Sequence, residues 1–317
     1  MNSLGAKLKR TLKRALIAPQ PTAADEGWPV DDAELAGVEI RWPSGGKWTN
    51  GWAWVEPLLC GFQSRLKVRM REIPQPLTGT VVIEMGRAGR VYRVALNCSD
   101  YPQIIHLPNS HGTPDALDLE FKMQYQIGGY GHPNIVPGGF ISDSVLVDLH
   151  ARQPRRQRDA QQFSWDVYGR FNLQYAAEVR TAAVTALTNQ SRVKFFGGGK
   201  KVTYREFLGE VARSRVCIDL PGLGPFCFRL VNYLAVGACI VSPPIAAEMP
   251  APLEDRKHIV FTKPDMSDLV ELCEQYANDA PAREALMQAG RDYYRRHLHW
   301  RSLSNYYLRT MLDRLPA

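Results

Sequence analysis

The sequence predicts an α/β protein whose C-terminal half is a doubly wound parallel sheet, and two observations carry that prediction. From Trp165 onward, short apolar runs alternate with stretches of helical periodicity, the pattern of strands joined by helical crossovers. Within that region residues 215–244 read RVCIDLPGLGPFCFRLVNYLAVGACIVSPP. This is a strand at 216–220, a turn holding Gly222 and Gly224, a helix at 226–236 ended by Gly237, and a strand at 239–241. Such a strand–turn–helix–strand unit requires parallel pairing.

Taken in order, the chain opens with a basic amphipathic segment at 1–18, where Leu4, Leu8, Leu12 and Leu16 stand at i,i+4 spacing among lysines and arginines. Two readings stand: a helix lying on an anionic membrane surface, or a solvated tail. Pro19 and Pro21 end it, and a polar linker runs to Asp32. Residues 38–60 hold Trp42, Trp48, Trp52 and Trp54; aromatic faces can stack on sugars, but tryptophans more often fill a core or an interface. Residues 80–97 alternate around a Gly86-Arg87-Ala88-Gly89 turn and read as a β-hairpin. Asp100 follows at a strand end, either as a base or as an Asx-turn aspartate. A strand is expected at 104–107, with His106 in it and His111 beyond.

Asp118 and Glu120 form an acid-x-acid pair of the kind that can hold a divalent cation. The pattern is short and common by chance, so no metal is expected. Residues 150–162 are polar and arginine-rich and read as a surface connection near the domain boundary. Strands are then expected at 165–168, 193–196 and 259–261, and helices at 173–188, 204–213, 266–278, 282–297 and 302–314. Arg170 and the Gly197-Gly198-Gly199-Lys200-Lys201 loop both follow strands, on the side where such sheets bind ligands.

Composition narrows the class. At 317 residues the chain is long enough for two domains, and 45% hydrophobic with 22% charged residues is a globular balance. The net charge of +7 is concentrated in two short segments: Lys7, Lys9, Arg10, Lys13 and Arg14, then Arg152, Arg155, Arg156 and Arg158. Without them the body is slightly acidic, which argues against a nucleic-acid partner. Six cysteines include no CxxC pair, and the histidines show no metal-binding spacing; reduced, buried thiols in a cytoplasmic protein fit best. There is neither an apolar run of spanning length nor a secretory signal.

The chemistry concentrates at the turn of residues 221–225. Two glycines let the backbone approach a ligand, Pro225 suits a first helical position, and the helix N-terminus behind them favours an anion. Arg229 lies in the first helical turn, where it could clamp a phosphate; Asn232 shares its face. The alternative is a buried unit whose arginine makes a structural ion pair. Both stand on the residues alone.

Gly169-Arg170-Phe171-Asn172, Tyr204-Arg205-Glu206-Phe207-Leu208 and CIDLPGLGPFCFRLVNYLAVGACIVS together resemble the C-terminal half of GT-B glycosyltransferases, nearest the exostosin-like, spore-maturation and protein O-glucosyltransferase types. The likeness spans about residues 165–314, and residues 121–125 (FKMQY) resemble a segment near the domain junction. It implies two Rossmann-like domains with a cleft between them, the N-terminal one reduced. The division expected is a tail and linker at 1–32, an acceptor-side domain at 33–150 and a nucleotide-sugar-binding domain at 151–317. The implied donor-binding residues are Arg170, Gly222, Gly224, Arg229, Asn232 and Lys122, with Asp100 or His106 activating the acceptor. Many members carry a glutamate where Asn232 stands here.

The expectation is therefore a metal-independent glycosyltransferase without a cofactor, moving a sugar from a nucleotide-sugar to a glycan or lipid-linked acceptor. It would act in the cytoplasm, at the inner membrane face if residues 1–18 bind there. The alternative is a non-catalytic sugar- or nucleotide-binding protein on a degenerate GT-B fold. A sugar-nucleotide epimerase fits less well, because residues 215–244 lack GxGxxG and the acidic residue that would hold a ribose.

Overall fold

A computed structural model describes residues 24–44, 52–75, 79–104, 117–140 and 146–317. The basic segment at 1–18, His106, His111 and most of the strand expected at 104–107 lie outside the described residues, as does Trp48.

In chain order the elements are α1 (Ala24–Gly27), β1 (Glu39–Pro43), α2 (Trp52–Arg65), β2 (Lys67–Arg71), β3 (Thr80–Arg87), β4 (Arg90–Asn97), β5 (Leu119–Lys122), β6 (Ile135–Pro137), α3 (Val147–Asp159), β7 (Trp165–Arg170) and α4 (Ala177–Thr188). There follow β8 (Phe195–Gly198), α5 (Tyr204–Ala212), β9 (Ser214–Ile218), α6 (Phe228–Val236), β10 (Cys239–Ser242), β11 (Val260–Phe261), α7 (Leu269–Asn278), α8 (Ala280–Tyr293), a π-helical turn (Tyr294–Leu298) and α9 (Trp300–Arg314).

Two sheets result. The N-terminal sheet runs β2-β1-β3-β4-β5-β6 and is mixed. The expected hairpin forms its antiparallel centre, β3 with β4 in register from Thr80 opposite Asn97 to Arg87 opposite Arg90. β5 joins β4 in parallel, with Asn97 beside Lys122. The C-terminal sheet runs β11-β10-β9-β7-β8, and every pair in it is parallel. Its inner strands β9 and β10 are buried on both faces, which is why 216–218 and 239–241 read as unbroken apolar runs. β7 pairs with β8 on one side and with β9 on the other, so the order of winding reverses between β7 and β9. That reversal leaves a crevice at the strand ends, where open α/β sheets bind their ligands.

Helices cover the C-terminal sheet on both sides. Leu208, Val211, Leu230, Leu234 and Val147 pack on one face, and Ala183, Leu272, Cys273, Leu286 and Met287 on the other. Local chemistry explains the boundaries: Thr203 and Glu206 form a capping box at the start of α5, and Asp279 accepts from Ala282 N–H at the start of α8. Residues 150–162 are not the expected surface connection. They belong largely to α3, which packs against α5 and α6, and Arg158 is fully buried, donating to Val211 O and to Ser214 O at 2.7 Å. Its arginines suggested solvent, but burial of one of them against free carbonyls draws the helix inward.

The final helix crosses back to the N-terminal sheet. Leu303, Tyr306, Tyr307, Leu308 and Met311 join Leu58 and Phe62 of α2 and Ile83, Val94 and Phe121 of the strands in one core. Phe121 stacks on Tyr307 at 3.9 Å between ring centroids, and Trp42 is fully buried here, in keeping with the core reading of that tryptophan. Truncating Leu303, which is 0% exposed, to Ala should therefore cost about 2–5 kcal/mol in urea unfolding. The same substitution should weaken hydrogen-exchange protection in β3 and β4; protection lost only in the C-terminal sheet would contradict this packing.

Candidate functional site

The crevice at the switch point is a cavity of about 750 Å³, within the range that holds a nucleotide-sized ligand. Arg170 from the end of β7, Lys200 and Lys201 from the loop after β8, Tyr204 from α5, and Phe228 and Arg229 from α6 line it. The aromatic side chains offer stacking faces and the cations suit an anion. Phe228 is exposed, and its ring lies 6.1 Å from that of Trp54 in the N-terminal domain.

Both arginines are already held. Arg170 makes a bidentate pair with Glu210, at 2.6 and 2.7 Å, and donates to Lys200 O at 3.2 Å. Tyr168 donates to the same carboxylate at 3.0 Å. Arg229 pairs with Asp219 at 2.8 Å, donates to Leu220 O at 2.6 Å and lies over the Phe171 ring at 4.6 Å. Burial alone would lower the Arg229 pKa, but the Asp219 charge beside it raises it, so the guanidinium stays protonated. The ion-pair reading of Arg229 is thus the geometry found, and the side chain still forms part of the cavity wall. Asn232 does not line the cavity. It is 1% exposed and its Oδ1 accepts the Tyr204 hydroxyl at 2.8 Å, which fixes the Tyr204 ring in the wall.

Gly222 and Gly224 lie apart from this cavity, beside a smaller one of about 290 Å³ at the ends of β9 and β10. A Cβ on Gly224 would collide with Asp100 O and the Gln124 side chain, so the glycine permits contact between domains. Gln124, fully buried, seals that contact: Phe226 N–H donates to its Oε1 at 3.0 Å, and its Nε2 donates to Phe226 O at 3.1 Å. Farther along, Glu248 N–H donates to Tyr125 O at 2.8 Å and Gly128 N–H to the Glu248 carboxylate at 2.8 Å.

Asp100 and Lys122 face this seam from the adjacent ends of β4 and β5. Lys122 is 0% exposed; its ammonium donates to Ser99 O at 3.1 Å and Asn97 Oδ1 at 3.4 Å. Burial brings its pKa down to about 8 against the opposing charges of Glu120, Cys98 and Asp100. Asp100 reaches solvent, yet the protein around it pushes its carboxyl up, opposed by Lys122 and a hydrogen bond with Gln124. Asp118 and Glu120 have protein partners instead of a shared site: Asp118 accepts Arg93 N–H at 2.6 Å, and Glu120 accepts Asn97 Nδ2 at 2.8 Å. No cluster of metal-ligating side chains occurs among the described residues.

The structure therefore brings Arg170 and Arg229 together at one cavity, and Asp100, Lys122, Gly222 and Gly224 at the neighbouring seam. Sequence reasoning missed Glu210, Asp219 and Gln124. Asp219 stood at the end of an apolar strand, a costly place for a lone carboxylate, and that was the available signal.

Residues 158–309 match the glycosyl transferase-like family. The match covers just under half of the chain and contains every residue of the cavity. No curated protein matches. Among solved structures, a glycosyltransferase from Rickettsia africae aligns with a TM-score of 0.41 and 9% identity over 57% of each chain. Anabaena HepE, solved with UDP and glucose, aligns with a TM-score of 0.41 and 11% identity over 62% of this chain and 63% of that one. Each alignment spans less than two thirds of the neighbour's length. No helix among the described residues is long and apolar enough to cross a membrane.

Linkage gives a test of the Lys122 environment. Its pKa falls from 10.5 to about 8 on folding, so between those values the unfolded chain binds more protons and stability rises with pH. Comparison with Lys122→Met across pH 7–10.5 should show the wild type gaining on the variant above pH 8. Parallel curves would mean that the ammonium is not desolvated.

Proposed function

We propose that this protein is a glycosyltransferase that uses a nucleotide-sugar donor, and that the donor occupies the cavity between β7 and β9. The observation that carries this reading is the position of the cavity. A basic, aromatic-lined crevice stands at the switch point of a parallel sheet, inside the segment that matches the glycosyl transferase-like family. The nucleotide packs against the aromatic wall, and its phosphates lie toward the cations. Departure of the nucleotide builds negative charge there, which the cations of the cavity stabilise; transfer accordingly proceeds without a metal. The sugar passes to a glycan or lipid-linked acceptor approaching from the N-terminal domain. Asp100, solvent-reaching and with its carboxyl pKa raised by the protein around it, serves as the acceptor-side base.

A thermal-shift screen against UDP-, GDP-, ADP-, CMP- and dTDP-sugars tests the donor site. A ligand at 100 times its dissociation constant adds about 2.7 kcal/mol, which is readily seen. Stabilisation by one nucleotide class, followed by EDTA-resistant release of that nucleotide when acceptor extract is added, is the expected result. No stabilisation by any donor would overturn the reading. Asp100→Asn should keep donor binding and lower turnover by about 10²–10⁴-fold; unchanged turnover would remove Asp100 from the reaction.

A further inference from the structure

We infer that the phosphate-binding charge of the cavity resides in the loop after β8, on Lys200 and Lys201, and that Arg170 and Arg229 build the cavity without clamping the phosphates. The inference rests on the donor reading above and assigns its electrostatics to particular side chains.

Arg170 and Glu210 are each 10% exposed at the side chain, and Arg229 and Asp219 are 7% and 4% exposed. Each pair sums to zero. To grip a phosphate with both edges, either guanidinium would have to release a carboxylate, which would then stand buried and uncompensated. The lysines are different. Both line the cavity, both are exposed, and neither forms an ion pair among the described residues. Glu206 is the nearby acid on α5; it is engaged with Thr203 in the capping box, and Lys200 acts on it only as a neighbouring charge. Two unmatched ammonium groups therefore face the space in which a diphosphate would lie. Flexible lysines suit phosphate as point charges and do not need a fork geometry.

The backbone fits the same role. Gly197 pairs with Gly169 across β7 and β8, and with φ at +146° a Cβ there would strike the Gly169 carbonyl. Gly198, at φ +86°, has open space around its Cβ position. Gly198 ends β8 in a left-handed conformation, and the two lysines that follow Gly199 line the cavity. Arg170, rigid on Glu210, holds the loop by its bond to Lys200 O. Its function is to position the lysine.

The test measures binding of UDP, GDP, ADP and dTDP, each against its monophosphate, and of inorganic pyrophosphate by calorimetry. The proteins are wild type, Lys200→Gln/Lys201→Gln, and Arg205→Gln as a neighbouring surface charge that does not line the cavity. The double variant should lose at least about tenfold in affinity for the diphosphate that wild type prefers. Its preference for diphosphate over monophosphate should shrink, its salt dependence should flatten, and its melting temperature should stay unchanged. Arg205→Gln should bind like wild type. Undiminished affinity in the double variant, or an equal loss in Arg205→Gln, would overturn this inference and leave the donor site standing. Failure of wild type to bind any of the probes would overturn both.

Discussion

The buried pair of Arg229 with Asp219 is the constraint around which the C-terminal domain is arranged. It closes the switch point from below, tying the first turn of α6 to the end of β9, with the Phe171 ring over the guanidinium. Arg180 completes the layer, donating to Pro221 O at 2.8 Å and Asn172 O at 2.6 Å. These bonds fix the ends of β7 and β9 relative to the helix that follows. A charge pair so far from solvent contributes little net stability by itself, but removal of one member leaves the other stranded. Its value is geometric: it holds Arg229 in place in the wall of the crevice.

A second polar contact organises the seam between the sheets. The Gln124 amide meets the backbone of Phe226 with both its donor and its acceptor, an arrangement that a hydrophobic residue of the same size could not supply. Because it sits just ahead of α6, it shares the amide-rich start of that helix with the cavity wall. Position of the N-terminal domain and shape of the site are thereby linked through one short stretch of backbone.

Much of the C-terminal half was legible because its information is local. Runs such as Val216-Cys217-Ile218 and Cys239-Ile240-Val241 declare buried parallel strands, and Thr203 with Glu206 declares a helix start. The hairpin of β3 and β4 was equally plain from alternation. What could not be read was pairing at a distance. Nothing near Arg170 announces Glu210, forty residues on, and a helix period says which face of α9 is apolar without saying which sheet it will cover. The edge strand β2 carries Lys67, Arg69 and Arg71 on a short, largely solvated segment, and its inner neighbour β1 alternates Glu39 and Arg41 with buried Ile40 and Trp42 over only five residues, so neither has a long apolar signature. The glycine turn was read as a place where the backbone approaches a ligand; at Gly224 the groups that approach are Asp100 O and the Gln124 side chain of the N-terminal domain.

The return of α9 to the N-terminal sheet has a consequence for how the chain is made. The core of that sheet needs Leu303, Tyr307, Leu308 and Met311, and these residues leave the ribosome only after the whole C-terminal sheet has been translated. Until then the apolar face of β3, β4 and β5 is covered only in part, by Leu58 and Phe62 of α2, so the first half of the polypeptide cannot complete its fold before the second half has been made. The C-terminal sheet, whose strands and helices are contiguous in sequence from 165 to 293, can settle first. The protein thus matures from its second domain toward its first.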